Sequence, residues 1–72
     1  MPLPTCSGAA AVRALERAGW TIKRQKGSHI ILGKPGHPAI LSVPDHRSLK
    51  PGTLRSLLRN AGISPDEFTD LL

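Results

Sequence analysis

The stretch Trp20-Thr21-Ile22-Lys23-Arg24-Gln25-Lys26-Gly27-Ser28-His29-Ile30-Ile31-Leu32 decides the fold, because it reads as two strands joined by a turn. Trp20 to Gln25 alternates, with Trp20 and Ile22 on one face and Thr21 and Lys23 on the other. Lys26-Gly27 is a tight turn, and Ser28 to Leu32 returns as the second strand. Beyond it, Gly33-Lys34-Pro35-Gly36-His37-Pro38 is a loop, and Ala39 to Val43 forms a third strand closed by Pro44. Connections this short make the three strands an antiparallel meander.

Helices flank the meander. The Ala-rich run from Gly8 to Ala18 follows Ser7, a capping residue, and stops at Gly19. The second helix opens near Pro51 and ends at Gly62, with Leu54, Leu57, Leu58 and Ala61 forming one apolar stripe. Ser64-Pro65-Asp66-Glu67 is a capping box that starts a short last helix, docked by Phe68, Leu71 and Leu72. Its acids sit at the positive end of that helix, which accounts for the acidic C-terminus without a partner. The order predicts an α+β domain of two layers, αβββα plus a short extra C-terminal helix, with the helices on one face of a three-stranded antiparallel sheet. Residues 1–72 are expected to form one domain, with 1–6 loosely ordered.

A sheet covered on one face shows its other face to water or to a partner. Trp20, Ile22, Ile30, Leu32, Leu41 and Val43 suffice for the covered face. Strict alternation then turns His29, Ile31, Ile40 and Ser42 outward with Thr21 and Lys23. Ile31 and Ile40 beside a histidine on an open sheet face suggest a surface that something covers.

Composition narrows the function. In 72 residues there is room for one small core, and 39% hydrophobic content is too high for a disordered basic tail. A single cysteine, Cys6, excludes a disulfide framework. Trp20 and Phe68 are the only aromatic residues, which excludes an RNA binder that stacks bases on a row of rings. No run of about 18 apolar residues offers a membrane span, and residues 1–12 lack the pattern of a secretory signal. A reduced, cytoplasmic, cationic domain is the expectation. The net charge is +5, but from Arg13 to Asn60 the ten bases meet only Glu16 and Asp45, a local balance of +8. Such a field draws phosphates by steering and counterion release.

Among chemical candidates, His29 follows Gly27-Ser28 directly after the basic run Lys23-Arg24-Gln25-Lys26. Neighbouring cations favour the neutral imidazole, which can accept a proton where a phosphate settles. His37, between Gly36 and Pro38, reads as a loop residue without chemistry. His46 leaves the third strand within possible reach of RNA. Cys6 stands beside the first helix start, where a thiol's pKa can fall, yet no local base makes it a nucleophile. The spacing of Cys6, His29, His37 and His46 offers no metal-ligand pair, and the glycines form no phosphate loop. No metal or cofactor is expected.

These segments together resemble the HicA toxins. The resemblance rests on Ser7-Gly8, Ala14-Leu15-Glu16-x-Ala18-Gly19-Trp20, Gly27-Ser28-His29, Val43-Pro44-x-His46, Leu49-Lys50-Pro51-Gly52-Thr53-Leu54-Arg55-Ser56-x-Leu58 and Ala61-Gly62-Ile63. It runs from about residue 7 to residue 72 in the family's order. It implies a fold similar to double-stranded-RNA-binding domains, and ribosome-independent cleavage of mRNA with the histidine of Gly-Ser-His as the catalytic residue. It also implies neutralisation by a HicB-type antitoxin that covers the active-site region. Ile30 stands where the family often carries a second histidine, and the loop from Gly33 to Pro38 is proline-rich where the family often has a His-Pro-Asp-Gly turn.

The expectation is therefore a metal-independent endoribonuclease toxin. His29 takes the proton of a ribose 2′-hydroxyl, while Lys23, Arg24, Lys26, Ser28 and Lys50 contact the RNA. Ile31 and Ile40 form the antitoxin interface. The rivals are a non-catalytic RNA-binding module of the same fold and a protein-interaction domain whose charge only serves solubility. No residue stands out in the sequence as the acid for the leaving 5′ oxygen.

Overall fold

A computed structural model describes residues 5–72. The elements follow as α1 (Gly8–Arg17), β1 (Thr21–Lys26), β2 (His29–Gly33), β3 (Leu41–Pro44), α2 (Pro51–Ala61) and α3 (Pro65–Leu71). The strands form one antiparallel sheet in the order β1-β2-β3. The expected α+β architecture, αβββα with an extra C-terminal helix, is the observed one. The expectation of a loose start at residues 1–6 falls, for residues 1–4, outside the described residues. Cys6 is tied down, its carbonyl accepting the Leu49 N–H at 2.9 Å.

Helix α1 begins because the Ser7 hydroxyl accepts the Ala10 N–H at 3.0 Å, satisfying one of the orphan donors of the first turn. It ends because Gly19, at φ 100, turns the chain into a region that side chains disfavour. Gly19 N–H then bonds the Glu16 carbonyl and Trp20 N–H the Leu15 carbonyl, both at 3.0 Å. Trp20 thus belongs to the helix cap rather than to the strand, so β1 starts one residue later than its alternation suggests. Gly62 and Ile63 close α2 with the same pair of bonds, to Arg59 and Leu58.

The core lies between the sheet and the helices. Leu32, Leu41 and Val43 from the sheet meet Ala11, Leu15, Leu54, Leu58 and Phe68 from the helices. Helix α3, with seven residues, is too short to stand alone. It is held by the fully buried Phe68, by the capping box of Ser64 and Glu67, and by Arg17, whose Nη1 donates to the Leu71 carbonyl. Burial of that one ring is worth about 3–5 kcal/mol against alanine.

Two sequence expectations need correction. Ile22 pairs with Leu32 and so shares the covered side, but it is 44% exposed, because edge strand β1 overhangs the helices and exposes all six of its residues. The third strand runs from Leu41 to Pro44 rather than from Ala39 to Val43. Ala39 is held in the loop instead, its N–H donating to Nδ1 of His37 at 3.1 Å. Pro44 is tolerated as the last residue of the edge strand β3, because the ladder bond beside it is made by the Asp45 N–H to the Ser28 carbonyl and the Pro44 nitrogen faces away from β2.

Candidate functional site

The candidate site is built on the turn between β1 and β2. Lys26 and His29 are partners across the ladder, leaving Gly27-Ser28 as a two-residue loop. Gly27 takes φ 59 and Ser28 does not take a positive φ. That is the turn whose first central position demands glycine and whose twist matches the strands. Gln25 steadies it by donating from Nε2 to the Gly27 carbonyl at 3.3 Å. The Ser28 carbonyl accepts the Asp45 N–H at 2.6 Å, so the turn is also bound to the chain leaving β3.

A bulge sets what surrounds His29. Ile22 pairs with Leu32, but the next pair is Arg24 with Ile31, so Lys23 is the extra residue. At a bulge two residues oppose one, and alternation restarts beyond it. Ile31 pairs in turn with Ser42, and His29 with Pro44, on the open face. Arg24 and Lys26 therefore share the face of His29, where unbroken alternation would have sent them to the other side. Lys23 reaches the same face: its stem, with the tip of Ile40, crowds the space a side chain at Gly33 would fill. The sequence signal for this was the polar run Lys23-Arg24-Gln25-Lys26, which breaks the alternation of the strand.

The remaining predicted site residues divide by location. Ser28 is exposed in the turn and Ile31 is half-buried beside it, while Ile40 is 62% exposed at the entry to β3. Lys50 is on another element, as the exposed N-cap of α2, reached from His29 through the segment that follows Pro44. His37 does have a structural role: its ring lies 5.0 Å from that of Trp20, tilted by 57°, while its Nδ1 holds Ala39. The indole N–H of Trp20 is buried without a partner among the described residues. Cys6 departs from expectation, since partial burial raises its pKa rather than the helix start lowering it. A cavity of about 420 Å³ between the helices, lined by Ala18, Lys34, Ala61, Ile63 and Leu71 among others, contains none of the predicted residues.

An exposed histidine flanked by three cations on an open sheet face can receive a phosphodiester and accept a proton beside it. The family model described as HicA toxin of bacterial toxin-antitoxin matches residues 8–63 of the chain. The chain belongs to the HicA toxin family. A toxin role and an antitoxin partner come with that membership. Among curated proteins no match was found. The matched span covers the whole HicA-type sheet, with His29 and the bulge, and ends one residue past the α2 cap at Gly62. Helix α3 lies beyond it. Among the described residues no helix is long and apolar enough to cross a membrane.

Proposed function

We propose that this toxin is a metal-independent endoribonuclease that cleaves mRNA in the cytoplasm, with His29 as the general base. The observation that carries this reading is the shared face of His29, Lys23, Arg24 and Lys26. His29 takes the proton of a ribose 2′-hydroxyl, whose oxygen attacks the adjacent phosphorus. Lys23, Arg24 and Lys26 hold the phosphate and stabilise its growing negative charge. Ser28, in the turn, and Lys50, at the start of α2, add contacts to the RNA backbone. General-base help of this kind supplies about 10²–10⁴-fold. That modest factor suffices for a toxin, since each cut inactivates one message. A HicB-type antitoxin neutralises it by covering Ile31, Ile40 and His29 together.

The test is cleavage in excess EDTA of an RNA and of the same RNA with one 2′-deoxy sugar at the cut position. The expected result is metal-free cleavage of the first, leaving a 2′,3′-cyclic phosphate, and resistance of the second despite nearly equal binding. His29→Ala should lose about 10²-fold or more in rate. Loss of activity with EDTA, or a cut at the deoxy sugar, overturns the mechanism. Binding without any cleavage by the wild type favours an RNA-binding module instead.

A further inference from the structure

We propose that His46 is the general acid of the reaction, giving its proton to the departing 5′ oxygen; this rests on the ribonuclease reading above. A 2′-hydroxyl attack that only removes a proton leaves the outgoing alkoxide unassisted. The residue that assists it must share the face of His29 at a distance that leaves room for one phosphate. His29 pairs with Pro44, and the Asp45 N–H to the Ser28 carbonyl carries the ladder one residue beyond the end of β3. His46 follows the strand, two positions past the partner of His29; in a continued antiparallel ladder that diagonal position lies about 7–8 Å away between Cα atoms. Extended backbone carried on through Asp45 would put position 46 on the face of Pro44 and His29.

The backbone around His46 is fixed while its ring is free. The His46 carbonyl accepts the Gly8 N–H at 2.8 Å, and three residues later Leu49 N–H donates to the Cys6 carbonyl. Gly8 lies so close to the Pro44 carbonyl that no side chain fits there. The segment is thereby clamped to the start of α1. His46 is exposed, and none of the side-chain hydrogen bonds among the described residues involves its imidazole. His37 is occupied by Trp20 and Ala39, so His29 and His46 are the two imidazoles left for chemistry. Imidazole is the side chain best suited to give and take protons near neutral pH.

The protons balance. His29 takes the 2′-hydroxyl proton as the O2′–P bond forms. The P–O5′ bond breaks with its electron pair on O5′, which takes the proton of His46. The products are a 2′,3′-cyclic phosphate and a 5′-hydroxyl, with His29 protonated and His46 neutral until solvent resets both.

The test compares single-turnover cleavage of an RNA with that of the same RNA carrying sulfur in place of the scissile 5′ oxygen. A thiolate leaves without a proton, so it removes the need for an acid alone. His46→Ala should be slowed about 10²–10⁴-fold on the oxygen substrate and should cut the sulfur substrate at close to the wild-type rate. His29→Ala should be slow on both. His46→Gln, which keeps a polar side chain, should repeat the pattern if the alanine variant melts early. Equal impairment of the His46 variants on both substrates, or none on either, overturns the role of His46 while leaving His29 as base. A His29→Ala variant as fast as the wild type, or a wild type that cuts neither RNA, overturns the ribonuclease reading and this proposal with it.

Discussion

Lys26 and His29 are directly paired across the β1–β2 ladder, at its last pair before the turn. A lysine in that place follows from the Lys23 bulge, which resets alternation so that Arg24 and Lys26 join the histidine. Charge is gathered at a point rather than spread along a strand. The consequence for RNA is electrostatic and can be measured by salt.

Reversing Lys23 and Lys26 to Glu changes the face by four units of charge. RNA affinity at low salt should fall, and the slope of log affinity against log salt should flatten by about 0.7 for each single-strand phosphate that the face no longer neutralises. Filter binding or fluorescence anisotropy over a salt series reads both quantities. A slope equal to the wild type would place the RNA track elsewhere on the molecule.

The open face also carries Ile31, half-buried, and the exposed Ile40, whose tip lies over Gly33 beside the stem of Lys23. Ile31→Lys with Ile40→Lys should weaken the complex with the antitoxin and leave the thermal transition nearly unchanged, because neither side chain fills the core. Copurification and calorimetric titration check this. Undiminished affinity would move the antitoxin contact off the sheet.

Much of this fold was legible because its punctuation is strong. Gly19 and Gly62 stop two helices, Ser64 to Glu67 starts a third, and Gly27 turns the hairpin. Each of these residue types has one geometric use at its position. The apolar stripe Leu54, Leu57, Leu58 and Ala61 was legible for the same reason: its period matches the helix. The faces of β1 were not legible. A bulge depends on which register the two strands adopt, and that is a pairing property, absent from either strand alone. The role of His37 was hidden likewise, since its partner Trp20 lies 17 residues away in sequence and meets it only in the fold. The clamp on the segment after β3 depends on backbone bonds from the start of α1, which no residue type announces.

Cys6 gives a prediction with a definite sign. Burial raises its pKa, so the folded state favours the neutral thiol. The stabilising contribution is fully present below the unfolded thiol's pKa and is lost as pH rises through the folded value. The pH midpoint for alkylation by iodoacetamide should therefore lie higher in the native protein than in the same protein unfolded in urea. A native midpoint at or below the unfolded one would mean that the helix start, and not burial, governs the thiol.

Two glycines at helix starts should respond to alanine in opposite directions. At Gly8 the added methyl would collide with the Pro44 carbonyl, a backbone atom that cannot rotate aside. Relief requires α1 or the segment carrying His46 to shift, a strain of about 1–3 kcal/mol. For a domain of this size each kcal/mol lowers the melting temperature by about 4–8 °C. At Gly52, in the exposed first turn of α2, a methyl meets nothing within 4 Å. There alanine only narrows the unfolded ensemble and favours the helix, a gain of about 0.4–1 kcal/mol. Thermal melts of Gly8→Ala and Gly52→Ala against the wild type should thus fall on either side of it. Gly8→Ala should also cut RNA more slowly than its loss of stability explains, because the displaced backbone carries His46. A Gly8→Ala variant as stable and as active as the wild type would show that the close approach of α1 to β3 constrains neither the fold nor the site.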